Sequence, residues 1–511
     1  MSLESAPSQS AYADADGAPL PPGEPLCVDL DGTLVKSDTL VDTVIVLARQ
    51  SPASLLQFPK WISEGKASFK RKVSSLAAID VVHLPYNKPL LEYLRQQYAE
   101  GREIYLATGA DTLLADRVAA HLGIFAGVLA SDGSVNLTGH NKLAAFRERF
   151  PSGFCYIGNA RPDVPLLTHC VHPMVANPHR SLSAGLRSAN IVPVHNFRDA
   201  ASPVKAWVRA IRLHQWAKNV LIFLPVLLAH VRAVGPIVAA FLAFLSFGLA
   251  ASATYIVNDL LDLEADRHHP RKRRRPFAAG DLSPIAGVAT VAIFFALSLT
   301  IALLLPRALT TLSPQFPWNG QGGFLGWLVF YVIATTAYSL RLKRMVLVDV
   351  IVLSGLYTVR ILAGSAAAGV SVSPWLAAFS IFFFLSLAFV KRFSELESLR
   401  ERNLAAGTIA VKGRGYRISD LEQIRSFGTS SGSASVLVFL LYLGNLNAAA
   451  KLYVHVTRLW LLVPILLLWL YRLWLQASRG ELHEDPVVYA VTDKRSLLLG
   501  LMVVAIVLSA L

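Results

Sequence analysis

Sulfur and charge are both scarce in this chain. Only three cysteines occur in 511 residues, Cys27, Cys155 and Cys170. Their spacing suits neither a thiolate metal site nor a disulfide framework, which fits a reducing, cytosolic setting for the part that holds them. Charged residues make up 16% of the chain against 54% hydrophobic, and the mean hydropathy is +0.47. That balance argues against a soluble enzyme throughout and suits a polytopic membrane protein. Acidic residues are the scarcer sign, 34 against 48 basic, for a net charge of +14. The excess does not imply a nucleic-acid partner, because the basic residues lie mostly in short loops between apolar runs, as in cytoplasmic loops that face anionic phospholipid. Residues 1–24 lack the basic and apolar regions of a signal peptide. Polar, acidic and rich in proline and alanine, they read as a disordered lead-in on the cytosolic side.

Composition changes near residue 200. Before it, short apolar segments (LCVDL, EIYLAT, GVLAS, FCYIGN, PMVAN) alternate with polar helical stretches. The pattern predicts a Rossmann-like α/β domain with a mainly parallel sheet over 25–200, with 38–88 forming a small helical cap. From 205 to 511 long apolar runs predict an all-α membrane domain of about nine transmembrane helices, at ~20 residues per crossing. We place them at 217–232, 234–257, 286–305, 324–340, 346–368, 374–390, 433–449, 458–475 and 495–511. Basic residues concentrate in alternate connections (267–276, 341–344, 391–425 and 493–495), so those face the cytosol with the α/β domain. The expected location is the cytoplasmic (inner) membrane, and a homo-oligomer through helix faces is compatible with it.

The stretch DLDGTL (29–34) follows the first apolar strand. Asp29 at a strand's carboxyl end and Asp31 two residues on can place a nucleophilic and an acid/base carboxylate around one Mg2+. Further pieces follow in order: Thr108 after EIYLA, Lys142 in GHNKLAAF, and Gly158, Asn159 and Asp163 in YIGNARPD. The set resembles the haloacid dehalogenase (HAD) phosphohydrolase superfamily over roughly 25–195. The resemblance implies that Asp29 attacks phosphorus, Asp31 protonates the leaving group, Thr108 and Lys142 hold phosphoryl oxygens, and Asp163 joins Asp29 and Asp31 at Mg2+. Many members carry an acid where this chain has Asn159.

In NDLLDLEAD, Asn258, Asp262 and Asp266 fall at i, i+4 and i+8, on one expected helix face with Asp259 beside them. Carboxylates so clustered repel unless a cation lies between them, and acids at a membrane edge are usually functional. The pattern resembles the first Asp-rich motif of the UbiA superfamily of intramembrane prenyltransferases, where it holds Mg2+ on a diphosphate. That implies Asn258, Asp259, Asp262 and Asp266 as metal ligands, the three aspartates being catalytic. The second Asp-rich motif of aromatic-prenylating members has no counterpart in KRFSELESLRERN (391–403). Together with AIRLHQWAKNVLIFLP, YSLRLKRMVLVDV and EDPVVYAVTDKRS, the sequence looks like the phosphoribosyltransferase branch that acts on decaprenyl phosphate. The resemblance implies 5-phosphoribosyl diphosphate (PRPP) as donor and a polyprenyl phosphate as acceptor. Gln215, Lys218, Asn219, Tyr338, Arg341, Lys343, Lys391 and Arg392 are the expected substrate-binding residues, and Trp216 an interfacial anchor. The run Arg271–Arg275 could attract phosphates or simply be solvated. The alternatives are prenyl transfer from a polyprenyl diphosphate to an aromatic or other acceptor, and a non-enzymatic membrane carrier or scaffold.

Overall fold

A computed structural model describes residues 23–314, 323–406, 415–445, 453–482 and 485–511. The predicted lead-in up to residue 22, and 446–449 of the span predicted at 433–449, lie outside the described residues. The chain divides into two compact units, Met1–Ala210 with Ile256–Ala289, and Ile211–Tyr255 with Thr290–Leu511.

In the first unit, β1 (Leu26–Val28), β2 (Ile104–Asp111), β3 (Gly127–Ser131), β4 (Cys155–Gly158), β5 (Pro173–Ala176) and β6 (His195–Phe197) form one parallel sheet. Its order is β3-β2-β1-β4-β5-β6. All of β1 is buried, as a central parallel strand covered on both faces must be. Its side chains alternate: Leu26 and Val28 join one apolar cluster, and Cys27 joins the other with Phe146 and Tyr156. Cys27 pairs with Tyr105 of β2 on one side and Tyr156 of β4 on the other. The strand order therefore reverses at β1, which opens a crevice at the strands' carboxyl ends where Asp29 and Asn159 emerge. The insertion after β1 is helical as expected, with Thr39–Gln50, Phe58–Ser63 and Lys66–Leu76.

The second unit is helical. Among the described residues six helices are long and apolar enough to cross a membrane: Val234–Leu261, Pro284–Leu312, Val348–Ala368, Pro374–Arg400, Ile418–Gly444 and Val456–Ser478. The first two begin or end in the other unit. The other expected spans do not reach that length among the described residues. Phe324–Leu340 and Lys494–Ala510 have 17 residues each, about 25 Å at 1.5 Å per residue, less than the ~30 Å hydrocarbon core. The run predicted at 217–232 is no span. It forms a 3₁₀ stretch, Leu213–Phe223, and a short helix, Leu224–Leu228, entered through Pro225. The 3₁₀ stretch lies hard against Val348–Ala368, since a Cβ on Gly364 would come within 2.0 Å of the Ile222 carbonyl oxygen. Only glycine permits that approach, and it fixes where Lys218 and Asn219 point. Trp216 Nε1 donates to Ser252 Oγ at 2.9 Å within the unit.

Candidate functional site

The crevice of the first unit is a cavity of about 600 Å³. Asp29 leaves the end of β1 and receives Lys142 Nζ on Oδ1 at 2.8 Å. The same ammonium donates to Ala107 O (3.1 Å) and Tyr156 OH (3.0 Å). Tyr156 OH in turn donates to Asp163 Oδ1 at 2.8 Å, while Asp163 Oδ2 accepts from Asn159 N and Ala160 N at 3.0 and 2.9 Å. Asp163 lines the cavity, yet both its oxygens already organise the β4 loop and Lys142. Asp31 Oδ1 accepts from Thr39 N and Oγ1, both at 2.7 Å. Thr108 is fully buried, with Oγ1 accepting from Ala110 N at 3.0 Å. Its neighbour Gly109 lines the cavity instead.

Burial pushes the Asp29 carboxyl up to about 6 against the opposing pull of Lys142, and Asp163 adds to the rise. Burial, with the nearby Asp38 charge, pushes Asp31 up to about 7. Burial would lower Lys142, but Asp29 and Asp163 reverse the effect and hold it above its usual range. At neutral pH Asp29 and Lys142 are thus an ion pair. Two buried carboxylates kept high by desolvation in one polar cavity are a donor set that fits a hard divalent cation such as Mg2+.

The Asp-rich segment also belongs to the first unit. Its helix ends at Leu261, Asp262 breaks it, and a short helix runs Leu263–His268. The carboxylates that converge are Asp259 and Asp266, two turns apart. Each is 2% exposed, and both accept from Arg275 Nη1, at 3.0 and 2.6 Å. Asp262 faces Arg49 instead, Oδ1 to Nη1 3.3 Å. Positions i and i+7 fall on nearly the same face at about 3.6 residues per turn, so Asp259 and Asp266 meet as helical spacing allows. Two carboxylates already sharing one cation fit a divalent metal in chemistry and charge. The basic run divides as well. Residues 271–274 are exposed, whereas Arg275 is engaged, as is Arg267, whose Nη2 donates to Asp42 Oδ2 (2.8 Å) and Ser37 Oγ (3.2 Å).

Most of the remaining expected residues gather in the second unit. Lys218 Nζ and Lys391 Nζ both donate to Asp485 Oδ2, at 2.8 and 2.9 Å, and Tyr357 OH donates to Oδ1 at 2.8 Å. Burial alone would raise Asp485, but the two ammonium groups outweigh it and hold the carboxyl well below the usual range. Asn219 Oδ1 accepts from Arg360 Nε at 2.9 Å, and its buried Nδ2 has no hydrogen-bond partner among the described residues. Arg392 pairs with buried Asp349 and donates to Tyr338 OH at 2.6 Å and Glu395 Oε2 at 2.5 Å. Tyr416 OH completes this knot on Asp349 Oδ1 at 2.5 Å. Gln215 is half-buried in the 3₁₀ stretch, Arg341 is exposed at a helix end, and Lys343 is half-buried in the following turn.

Sequence reasoning missed Asp485, Tyr357 and Arg360. Arg360, a cation in the middle of a membrane-length helix, carried a usable signal, because an intramembrane cation is rarely idle. The Arg392–Asp349 pair is 1% and 0% exposed, so removing one partner strands a buried charge. Asp349→Leu is expected to destabilise by about 3–5 kcal/mol. Asp349→Leu with Arg392→Met should recover most of that loss in detergent thermal melts.

Residues 219–498 match the UbiA prenyltransferase family. The chain is 37% identical over 481 residues to protein y4nM of Sinorhizobium fredii, covering 94% of this chain and 89% of that one. Decaprenyl-phosphate phosphoribosyltransferase of Mycobacterium tuberculosis is 34% identical over 214 residues, 40% of this chain and 65% of that protein. A solved UbiA homolog from Archaeoglobus fulgidus, bound to GPP and Mg2+, is 17% identical with a TM-score of 0.43, covering 60% of this chain and 99% of that one.

Proposed function

The chain belongs to the UbiA prenyltransferase family, and from that premise we propose that it transfers 5-phosphoribose from PRPP to a polyprenyl phosphate and then removes the 5-phosphate from the lipid so formed. It is a multi-pass membrane protein on its six membrane-length helices and its family. We place it in the cytoplasmic membrane, with the α/β domain and the Asp-rich segment on the cytosolic side.

One observation carries the choice of phosphate-bearing substrates. Lys218 and Lys391 share the single carboxylate Asp485, while neutral groups, Asn219 and Tyr331, hold Arg360. Buried Lys218 and half-buried Lys391 on one carboxylate, with Arg360 held by neutral groups, leave positive charge that an anionic substrate would compensate. Asn219 Nδ2, unpaired among the described residues, offers a further donor. Similarity to decaprenyl-phosphate phosphoribosyltransferases supports PRPP as donor and a polyprenyl phosphate as acceptor.

In transfer, an acceptor phosphate oxygen attacks C1 of the ribose, the C1–O bond to diphosphate breaks, and diphosphate leaves with the bonding pair. Asp259 and Asp266, with Asn258 and Asp262 beside them, would hold Mg2+, which supplies charge neutralisation for the leaving diphosphate. Arg275 keeps the two central carboxylates together. Lys218, Asn219, Lys391 and Arg392 bind phosphates, and Tyr338 orients Arg392. Gln215, Arg341 and Lys343 are proposed as outer phosphate contacts.

In hydrolysis, Asp29 attacks phosphorus and the P–O ester bond breaks, with Asp31 giving its proton to the departing sugar oxygen. Water then attacks the aspartyl phosphate, its proton passing to Asp31, and inorganic phosphate leaves. Asp31 lines the cavity with Oδ1 fixed by Thr39, placed to give a proton to the leaving oxygen and take one from water. Lys142 offsets phosphoryl charge, Thr108 shapes the end of β2, and Asp29, Asp31 and Asp163 would hold the metal.

The test is lipid mass spectrometry after incubating purified protein with Mg2+, PRPP and a polyprenyl phosphate. New masses for phosphoribosyl and ribosyl lipids are expected, and EDTA should abolish both. A prenylated aromatic product from a polyprenyl diphosphate, with no phosphoribosyl lipid, would overturn the assignment.

A further inference from the structure

The phosphohydrolase cavity is not built from the α/β fold alone. One wall consists of Gly280, Asp281, Leu282, Ser283 and Pro284, from the stretch that follows the Asp-rich segment. That wall is a rigid turn. Asp281 N and Leu282 N both donate to Pro276 O, at 2.8 and 3.2 Å, and Gly280 N donates to Phe277 O at 3.1 Å. Phe277 is fully buried. Gly280 has φ +72°, and a Cβ there would come within 2.8 Å of Lys36 Cβ, so the turn lies directly on the loop behind the nucleophile. Lys36 Nζ meets Asp281 Oδ1 at 3.0 Å and Asp199 Oδ1 at 3.6 Å, with the Lys36 and Asp281 side chains only 11% and 12% exposed.

Pro284 carries the argument to substrate class. It lines the cavity and is also the first residue of the 29-residue apolar helix Pro284–Leu312. The stretch that walls the cavity thus continues without interruption into a helix of membrane length, which tethers the cavity to the bilayer. A phosphomonoester on a lipid-anchored headgroup reaches it without leaving the membrane, and confinement to the bilayer raises its effective concentration at the cavity. A soluble sugar phosphate has no such advantage.

We infer that Gly280–Pro284 is the substrate-selecting wall of the phosphohydrolase cavity, that the Lys36–Asp281 pair is its specificity-determining contact, and that the cavity takes phosphomonoesters carried on membrane-anchored headgroups in preference to soluble ones. The inference rests on reading the cavity as a phosphohydrolase site. Asp281 and Lys36 present an acceptor and a donor to sugar hydroxyls beyond the scissile phosphate, and their mutual bond fixes both side chains before substrate arrives.

The experiment uses the full chain in nanodiscs, with phosphoribosyl polyprenyl phosphate in the bilayer and ribose 5-phosphate in solution as competing substrates. The wild type should favour the lipid at least a hundredfold in kcat/KM. Asp281→Asn and Lys36→Met should each reduce that ratio at least tenfold, mainly through KM for the lipid, measured below the thermal midpoints that loss of the buried pair lowers. Equal losses on both substrates, or an unchanged ratio in both folded variants, would overturn the selectivity role. A wild type that hydrolyses neither phosphomonoester while phosphoribosyl lipid accumulates would instead overturn the phosphohydrolase reading, and the inference with it.

Discussion

Replacing Asp259 with asparagine is expected to cut phosphoribosyl transfer at least a thousandfold. The largest electrostatic demand in this reaction is stabilising the departing diphosphate, and a metal held by carboxylates supplies several kcal/mol of it. A thousandfold loss corresponds to about 4 kcal/mol. Asp259 and Asp266 are the two acids brought to one cation, with Arg275 Nη1 at 3.0 and 2.6 Å, so Asp266→Asn should fall equally far. Asp262 lies 3.3 Å from Arg49, and Asp262→Asn is expected to lose less. Transfer of radiolabelled phosphoribose into the lipid phase under saturating Mg2+ gives the order. If Asp259→Asn stays within tenfold of wild type while Asp262→Asn is inactive, the proposed metal position is wrong.

Asp29→Asn should lower phosphomonoester hydrolysis by at least a thousandfold while transfer continues, so that phosphoribosyl lipid accumulates. Asparagine cannot form the acyl phosphate, so the covalent route closes. The substitution is nearly isosteric, and Lys142 Nζ keeps Ala107 O and Tyr156 OH as partners, which should hold the cavity's shape. Lipid masses separate the outcomes. Accumulation of the 5-phosphate form supports sequential action in one chain. Ribosyl lipid formed at the wild-type rate would remove Asp29 from the reaction.

What the sequence made legible followed from local chemistry. DLDGTL after an apolar strand announces a carboxylate at a strand end, and the parallel sheet delivers Asp29, Asp31, Lys142, Asn159 and Asp163 to one cavity. Long apolar runs announced membrane helices, and six of membrane length stand among the described residues. Run length alone did not show that the stretch around Pro225 folds as a 3₁₀ segment and a helix of only five residues. Helical spacing places Asp259 and Asp266 on nearly one face, and the structure adds the Arg275 guanidinium that both acids share. The pairing of Lys218 with Asp485 spans 267 positions. No local pattern encodes such a contact, so the carboxylate that collects both lysines stayed hidden in the loop before Pro486.

The contact between Arg267 and Asp42 bears on how this polypeptide can be dissected. Asp42 is 1% exposed and its Oδ2 takes the guanidinium at 2.8 Å, while its Oδ1 is buried without a hydrogen-bond partner among the described residues. A recombinant fragment ending near residue 205 would keep that carboxylate and lose its counter-charge, and Lys36 would lose Asp281 as well. Such a truncation strands buried charge inside what looks, by primary structure, like a self-sufficient module. Expression of the N-terminal portion by itself should therefore give poorly soluble material unless residues 256–289 are grafted back. In evolutionary terms, fission of this gene into two would require a repaired surface on the soluble product.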